Sequence, residues 1–454
     1  MAVLPQVEAL AVNAFTPDGA GALSPRAAAL IARREAVLGP AYHLMYRSPV
    51  ELVRGEGVWL WDADGRRYLD CYNNVASVGH ANPRVAAAVT EQLALINSHT
   101  RYLHESVVAY AEELVATFPG ALDTLMLTCT GSESNDLAIR IARHRTGNQG
   151  VIVTRAAYHG NSAVTTVCSP SMGPAATAGV PWIRVAEPPD AFRFALELGV
   201  VAPASLAEWW ADEVLLHCES LASEGIGVAA LLVDTSFSSD GVLTDPAGFL
   251  APAAEVVRSF GGVLIADEVQ PGFGRLGESM WGFSRHGVEP ELVTLGKPMG
   301  NGMPIGGVVG RRDVIDGFGR EVRYFNTFGG GEVAVAAGSA VLAEIRERGL
   351  IENARLLGER MRAGVRAIAE RSGGAIGDVR GAGLFTGAEF VRPGGLEPDP
   401  EEAIRVVNAM REAGVLISAT GYFGNTLKIR PPLVIDEAGV DFFLDRLGEV
   451  VAPR

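Results

Sequence analysis

The stretch GGVLIADEVQ, residues 261–270, carries the pattern that decides the fold. Its centre is apolar at successive positions rather than at every second one, which predicts a β-strand buried on both faces. Similar apolar runs occur in TLMLTCTG (124–131), GVIVTRAAYHG (150–160), VAALLVDTSF (228–237) and ELVTLGK (291–297). Because helical stretches alternate with these runs, the sequence predicts an α/β fold with a mostly parallel central sheet.

The flanking sequence predicts a second, smaller part of the protein. GVWLWDADGRRYLDC, residues 57–71, predicts a β-hairpin that turns at Asp-Ala-Asp-Gly. After residue 331, helical stretches and two strands, GAGLFTGAEF and LKIRPPL, predict a smaller α+β domain. We therefore expect a large domain over residues 75–331, with residues 1–74 and 332–454 forming the N-terminal segment and the small domain.

Composition argues against several classes of protein. The formal net charge of −15 does not suit a protein that binds nucleic acid through its phosphates. No uninterrupted apolar run reaches about eighteen residues, so no membrane span is expected. Residues 1–25 contain neither lysine nor arginine, so we expect an irregular lead-in rather than a targeting peptide. The four cysteines lack metal-ligand spacing and predict reduced thiols, no metal site and a cytoplasmic location.

Lysine occurs at only two positions, Lys297 and Lys428, and every other strongly basic residue is arginine. Lys297 directly follows a predicted strand and begins the glycine-rich stretch KPMGNGMPIGG. Lysine forms imines with carbonyl compounds once its pKa is lowered, whereas the guanidinium of arginine stays protonated. Lys297 is therefore either a Schiff-base lysine or a chance survivor of an arginine-rich composition.

Other candidate residues follow predicted strands, where open α/β sheets bind their ligands. Gly131 and Ser132 begin a predicted helix, whose free N–H groups could bind phosphate or could simply be capped by serine. Asp267 could hold a cationic N–H group, and Tyr158 could stack on a planar ring or belong to the core. Thr327, ahead of a glycine turn into a helix, is a second phosphate candidate.

A literal G-x-G-x-x-G occurs at Gly272, Gly274 and Gly277, but glycine and proline interrupt the sequence that follows it. A dinucleotide site requires this motif to begin a helix, so a nicotinamide or flavin cofactor is not expected. Taken together, the candidate residues supply two phosphate sites, a stacking ring, a carboxylate and a lysine. Pyridoxal 5′-phosphate (PLP) requires this combination of groups.

Six motifs in this order resemble the class III (omega-type) aminotransferases of PLP fold type I. They are GSESNDLAIRIAR, YHG, ADEVQPGFGRLG, GKPMGNGMPIGG, NTFGGGEVA and VRGAGLFTG, and the likeness extends over roughly residues 40–435. The resemblance implies the aspartate aminotransferase-like fold and pyridoxal 5′-phosphate as cofactor. It also implies a homodimer with active sites shared between the subunits.

The same resemblance implies roles for individual residues. Lys297 would carry the cofactor as an aldimine and later transfer the substrate's α-proton. Asp267 would pair with the pyridinium nitrogen, and Gln270 would donate a hydrogen bond to the ring oxygen.

The remaining cofactor contacts follow from the other motifs. Val269 and the ring of Tyr158 would sandwich the cofactor ring. Gly131 and Ser132 would bind its phosphate, and Thr327 of the partner subunit would bind that phosphate as well.

The sequence departs from the family at the expected substrate site. Many members have an arginine three residues before a Pro-Pro pair, which binds a substrate carboxylate, and Lys428 takes that position here. Many also have a glutamate that masks this arginine, where this chain has Ser239. Arg430 replaces a second lysine of related phospho-lyases. We expect Lys428, Ser239 and Arg430 to contact the substrate.

The resemblance favours a transaminase that moves an amino group from a terminal or carboxylate-poor amine to an α-keto acid. NNVASVGH, TRYLH and LKIRPP most resemble the subgroup of alanine–glyoxylate aminotransferase 2-like proteins and ethanolamine-phosphate phospho-lyases. The alternative is therefore a phospho-lyase that eliminates phosphate and ammonia from an O-phospho amino alcohol such as phosphoethanolamine. A cofactor-free binding protein on the same fold is a third interpretation.

Overall fold

The computed structural model describes residues 13–16, 23–193 and 203–452, so most of the expected irregular lead-in lies outside the described residues. The α-helices are Pro25–Leu38, Pro83–Leu95, Glu105–Val115, Gly131–Thr146, Ala163–Val167, Pro203–Ser223, Leu250–Ser259, Arg312–Glu321, Glu332–Glu347, Leu350–Glu370, Pro400–Glu412 and Glu437–Val451. Short 3₁₀ helices span Pro170–Met172, Pro174–Ala176, Gly282–His286 and Lys297–Gly300. None of the helices in these ranges is long and apolar enough to cross a membrane.

A seven-stranded sheet occupies the centre of the molecule. Across the sheet the strands run in the order Leu122–Thr128, Gly306–Arg311, Leu292–Leu295, Val263–Asp267, Val228–Asp234, Gly150–Thr154 and Ile183–Ala186. Only Gly306–Arg311 is antiparallel to its neighbours. The prediction of an α/β fold with a mostly parallel central sheet is confirmed, and each of the five predicted apolar runs contributes a strand.

Burial on both faces explains why these strands do not alternate between apolar and polar residues. Leu232 and Ile265 pack into one apolar cluster with residues of the helix Gly131–Thr146. Their chain neighbours Leu231 and Leu264 belong to a separate cluster that contains residues of the helix Leu250–Ser259. Since successive side chains of a strand point to opposite faces, the sheet lies between two helical layers.

Two smaller sheets lie outside this central layer. Leu52–Glu56, Trp59–Asp62 and Arg67–Asp70 form an antiparallel sheet, and Val415–Leu416 adds to it in parallel. The hairpin predicted over residues 57–71 is thus confirmed. The pairing with Val415–Leu416 joins the N-terminal segment to the C-terminal part of the chain, while the domain boundaries stay a prediction.

The third sheet is antiparallel and contains the strands Ile376–Ala382, Phe385–Phe390, Thr426–Ile429 and Ser418–Thr420. The prediction of a single strand over GAGLFTGAEF is wrong, because the chain reverses between Ala382 and Phe385. Gly383 makes this possible with a backbone φ of 51°, a conformation that favours glycine.

Gly358 is the point at which the helix Leu350–Glu370 crosses this hairpin turn. A Cβ atom added at Gly358 would lie 1.8 Å from the carbonyl oxygen of Gly383, so one of the two backbones would have to move. Gly319, in the helix Arg312–Glu321, offers a matched comparison because an added Cβ would meet no atom within 4 Å.

We therefore expect Gly358→Ala to lower the free energy of unfolding by about 1–3 kcal/mol through overpacking. Gly319→Ala should instead raise it by up to about 1 kcal/mol, since alanine has the higher helix propensity. Apparent melting temperatures of the two variants and the parent protein measure this difference. Equal melting temperatures for the two variants would contradict the expectation.

Candidate active site

The carboxyl ends of the central strands surround a cavity of about 380 Å³. It contains all but one of the residues that the family resemblance assigns to the cofactor, namely Gly131, Ser132, Tyr158, Asp267, Val269, Gln270 and Lys297. Residues from separate strands meet here because parallel strands end at the same edge of a sheet. The glycine-rich stretch adds the apolar side chains of Met303, Pro304 and Ile305 to the wall.

The start of the helix Gly131–Thr146 forms the phosphate-sized corner of this cavity. The side chain of Thr130 accepts a hydrogen bond of 3.1 Å from the N–H of Glu133. The N–H groups of Gly131 and Ser132 have no intrahelical acceptor, because they belong to the first helical turn. Free N–H groups and the positive end of the helix dipole attract an anion, so this corner can hold a phosphate.

Glycine is required where neighbouring segments close around this corner. A Cβ atom at Gly131 would lie 2.9 Å from Cγ2 of Val269, and one at Gly296 would lie 2.8 Å from the backbone nitrogen of Gly131. A Cβ atom at Gly160 would lie 2.6 Å from Oγ of Ser132. The three glycines thus let the helix start approach the segments that carry Lys297, Val269 and Tyr158.

Asp267 is a buried carboxylate held by three N–H donors. Its Oδ2 accepts from Nδ2 of Asn135 at 2.8 Å and lies 2.7 Å from Nδ1 of His159. Its Oδ1 accepts from the backbone N–H of Val269 at 3.1 Å. Asn135 is fixed in turn because its Oδ1 accepts from Oγ1 of Thr294 at 2.7 Å. These three contacts fix the carboxylate of Asp267 in place as a hydrogen-bond acceptor suited to a cationic N–H of a ligand ring.

Lys297 lies two residues after the end of the strand Leu292–Leu295. It is the first residue of a 3₁₀ helix and has a backbone φ of 33°. Its side chain is buried in the cavity wall. Burial, followed by the charge of Arg430, lowers the pKa of Lys297 to about 8 against the opposing effect of Asp267. A lysine with this pKa has far more free amine near neutral pH than an ordinary lysine, and the free amine can act as a nucleophile.

Three further residues of the site were not identified from the sequence: Asn135, His159 and Asp234. Asp234 ends the strand Val228–Asp234, and its Oδ1 accepts from Oγ of Ser236 at 2.7 Å. Its position after a buried strand is the signal that singled out Asp267, so it could have been found. Asn135 and His159 are recognisable only through their spatial contact with Asp267.

Lys428 and Arg430 lie buried beside the cavity rather than in its lining. The Nζ of Lys428 lies 5.7 Å from the ring centroid of Phe385. Burial lowers the pKa of Lys428 well below its ordinary value, and the neighbouring charges of Arg430 and Lys297 lower it too. The two lysines of the chain, separated by more than a hundred residues in sequence, therefore lie close enough in space to repel each other.

The structure does not bring the side chains of Ser239 and Thr327 into the cavity lining. The backbone carbonyl of Ser239 accepts from the N–H of Gly421 at 3.1 Å, so this residue contacts the C-terminal segment through its backbone. Thr327 is exposed on the surface. Their expected contacts with substrate and cofactor stay predictions.

The residues that are present fit pyridoxal 5′-phosphate. The helix start offers N–H groups for a phosphate, and added Cβ atoms at Gly131 and Gly160 would fill the space beside it. Asp267 suits a protonated ring nitrogen, and Lys297 suits an aldehyde carbon. The described residues contain no group of three or more His, Cys, Asp or Glu side chains that could hold a metal ion.

Comparisons with known proteins agree with this chemistry. The family model for class-III aminotransferases matches residues 43–451. The chain is 39% identical over 413 residues to a Drosophila melanogaster protein named alanine–glyoxylate aminotransferase 2-like, which covers 90% of this chain and 83% of that protein. It is 35% identical over 435 residues to ethanolamine-phosphate phospho-lyase homolog 1 of Caenorhabditis elegans, which covers 93% of each chain.

A solved structure is also similar over nearly the whole chain. A phospholyase from Arthrobacter in complex with phosphoethanolamine has a TM-score of 0.87 and 45% sequence identity, covering 93% of this chain and 99% of that chain. The cofactor of this family is pyridoxal 5′-phosphate, as the residues of the cavity require. The chain belongs to the class III aminotransferase family of pyridoxal 5′-phosphate enzymes.

Proposed function

We propose that this enzyme is a phospho-lyase that acts on a small O-phospho amino alcohol such as phosphoethanolamine. Water enters the overall reaction, and inorganic phosphate, ammonia and an aldehyde leave it. The observation that carries the proposal is the buried amine of Lys428 beside the cavity, which an anionic substrate group would charge by pairing with it. The similarity to the phospholyase solved with phosphoethanolamine supports it.

The surroundings of Lys428 favour an anionic ligand. Among the hydrogen bonds and ion pairs of the described residues, none involves Nζ of Lys428, which lies 5.7 Å from the centroid of the Phe385 ring. Burial disfavours the charged form of Lys428, and a substrate anion that pairs with this amine would favour its protonation and form a charge-assisted contact. An ammonium is a point charge suited to phosphate, whereas the bidentate fork of arginine better matches a carboxylate.

The proposed mechanism assigns a task to each residue of the cavity. When bound, pyridoxal 5′-phosphate supplies an electron sink for the electron pair left on the carbon that bears the amine. Lys297 removes the proton from that carbon, since its amine is largely deprotonated above pH 8. Asp267, held by Asn135 and His159, would accept a hydrogen bond from the protonated ring nitrogen.

Elimination then breaks the bond between the adjacent carbon and the phosphate oxygen. The electron pair of that bond leaves with the phosphate, and Lys428, protonated once it pairs with the substrate phosphate, stabilises the departing anion. The organic product tautomerises to an imine, which water hydrolyses to ammonia and the aldehyde. Gly131 and Ser132 would bind the phosphate of the cofactor. The phosphate of the substrate would lie elsewhere, near Lys428.

Transamination of a carboxylate-poor amine with an α-keto acid is the second candidate. The match to the aminotransferase family and the Drosophila relative support it. The contacts of Arg430 support the carboxylate-poor class, because this guanidinium donates to Gln270 Oε1 and to the carbonyl of Tyr72 at 2.9 Å. In this alternative Lys297 would pass the proton that it removed from the substrate to the cofactor, and no phosphate would be lost.

A homodimer with shared active sites is also part of the proposal. Phe325, Phe328, Tyr102 and Leu103 are exposed apolar side chains near Thr327. Arg101 lies over the ring of Phe325 at 3.8 Å, which joins the two segments into one surface. A second subunit that covers this surface would remove the apolar side chains from water and receive Thr327 at its own cofactor phosphate. The cytoplasmic location stays a prediction from the cysteine content.

The substrate class is tested by incubating the holoenzyme with phosphoethanolamine and with amines plus pyruvate. We expect equal amounts of phosphate and ammonia from phosphoethanolamine and no alanine from pyruvate. Lys428→Met should raise KM for phosphoethanolamine by about 10- to 100-fold, the effect of a lost hydrogen bond to a charged group. Alanine formation without release of phosphate would favour the transaminase and contradict the lyase.

The pKa of Lys297 predicts how apoenzyme recombines with the cofactor. Only the free amine attacks an aldehyde, so the rate of covalent recombination should rise with pH and level off above about pH 8. Absorbance of the bound cofactor follows the reaction, and Lys297→Ala is the control that forms no adduct stable to borohydride. A rate that continues to rise towards pH 10 would indicate an unperturbed lysine and contradict this expectation.

The dimer is tested at its exposed apolar surface. Phe328→Glu should dissociate the protein into monomers in sedimentation experiments, because a charge would be buried at the interface. Leu216→Glu, at an exposed leucine of the helix Pro203–Ser223, is the matched control and should remain dimeric. Thr327→Ala should remain dimeric but bind the cofactor about 10-fold more weakly. A dimeric Phe328→Glu variant would place the interface elsewhere.

A further inference from the structure

Arg430 has contacts that differ from those of its neighbour Lys428. It follows the strand Thr426–Ile429, and its backbone N–H donates to the carbonyl of Cys71 at 2.7 Å. Its Nε donates to the carbonyl of Tyr72 at 2.9 Å, and its Nη1 donates to Oε1 of Gln270. The buried guanidinium thus already donates hydrogen bonds to two groups of the protein.

The contact with Gln270 fixes which end of the side-chain amide faces which partner. A guanidinium has N–H donors and no acceptor, so the amide atom next to Nη1 must be the oxygen. The NH₂ group of Gln270 is consequently on the opposite side, 3.5 Å from Oδ2 of Asp234. Both Gln270 and Asp234 line the cavity, whereas Arg430 does not.

The other contacts of Gln270 also favour this orientation of its side-chain amide. The backbone carbonyl of Gln270 accepts from Nδ2 of Asn74 at 3.0 Å, so the main chain is anchored independently. If the amide were turned over, its NH₂ group would face the N–H donors of Arg430 and its oxygen would face the carboxylate of Asp234. Both contacts would be repulsive.

We propose that Arg430 is a positioning residue, which holds the Gln270 amide with its NH₂ group available to an anionic ring oxygen of the cofactor. This inference rests on the proposed cofactor site and not on which reaction follows. A donor at this oxygen favours its deprotonated form, whereas an acceptor would favour the protonated form. The inference also gives the two basic residues of LKIRPP different tasks. Arg430 would position Gln270, and Lys428 would remain available to the substrate.

The test is a double-mutant cycle read out by the cofactor's visible absorbance. Arg430→Met is made in the parent enzyme and in a Gln270→Ala background, and each holoenzyme is titrated with pH. We expect Arg430→Met to raise the midpoint of the absorbance titration and to weaken cofactor binding by about 10-fold in the parent enzyme. In the Gln270→Ala background the same change should have a clearly smaller effect, since the amide is no longer there to be held. KM for phosphoethanolamine should change by less than about 3-fold.

Two results would overturn the inference. Equal effects of Arg430→Met in both backgrounds would show that Arg430 does not act through Gln270. An increase in KM of about 10-fold or more with an unchanged titration would make Arg430 a substrate ligand instead. If Arg430→Met does not fold, Arg430→Lys replaces it in the cycle, because a lysine cannot engage both Tyr72 and Gln270. Absorbance and affinity do not require phosphate release, so failure of the lyase proposal leaves this result interpretable.

Discussion

The close approach of three backbone segments at Gly131 is the constraint on which the site depends. The helix start, the segment before Lys297 and the loop at Val269 touch so tightly that a methyl group at Gly131 or Gly296 would clash. This contact places free N–H groups, a lysine and a carboxylate around one cavity, although they come from different strands. Each group could exist elsewhere in an α/β protein, but only together do they suit a phosphorylated aldehyde cofactor.

The parts of the molecule that the sequence predicted are those set by local pattern. Buried strands produce continuous apolar runs, and a lysine or aspartate directly after such a run lies at the ligand edge of the sheet. The hairpin turn at Gly383 was missed because the apolar pattern continues through it without a polar break. Asn135 and His159 were missed because their contact with Asp267 joins residues more than a hundred positions apart.

Lys428 and Arg430, the basic residues expected at the substrate, also show that contacts between distant segments cannot be predicted from the sequence. Lys428 and Arg430 are two positions apart and equally basic, so the sequence gives both the same expected role. Their partners separate them: Gln270, 160 residues earlier in the chain, engages Arg430, and Lys428 faces an aromatic ring. Since the partners come from distant segments, only the folded arrangement distinguishes the two basic residues. The scarcity of lysine in the sequence nevertheless singles out Lys297 and Lys428, which lie close together in the fold.

The strand Thr426–Ile429 belongs to the antiparallel C-terminal sheet, whereas Asp267 ends one strand of the central sheet and Lys297 follows another. Lys428 therefore comes close to the cavity from a framework separate from the one that carries Lys297 and Asp267. A substitution at Lys428 alters one antiparallel strand and leaves the cofactor's supports in place. Residues of this strand can therefore change in few mutational steps without disturbing the central strands that surround the cavity.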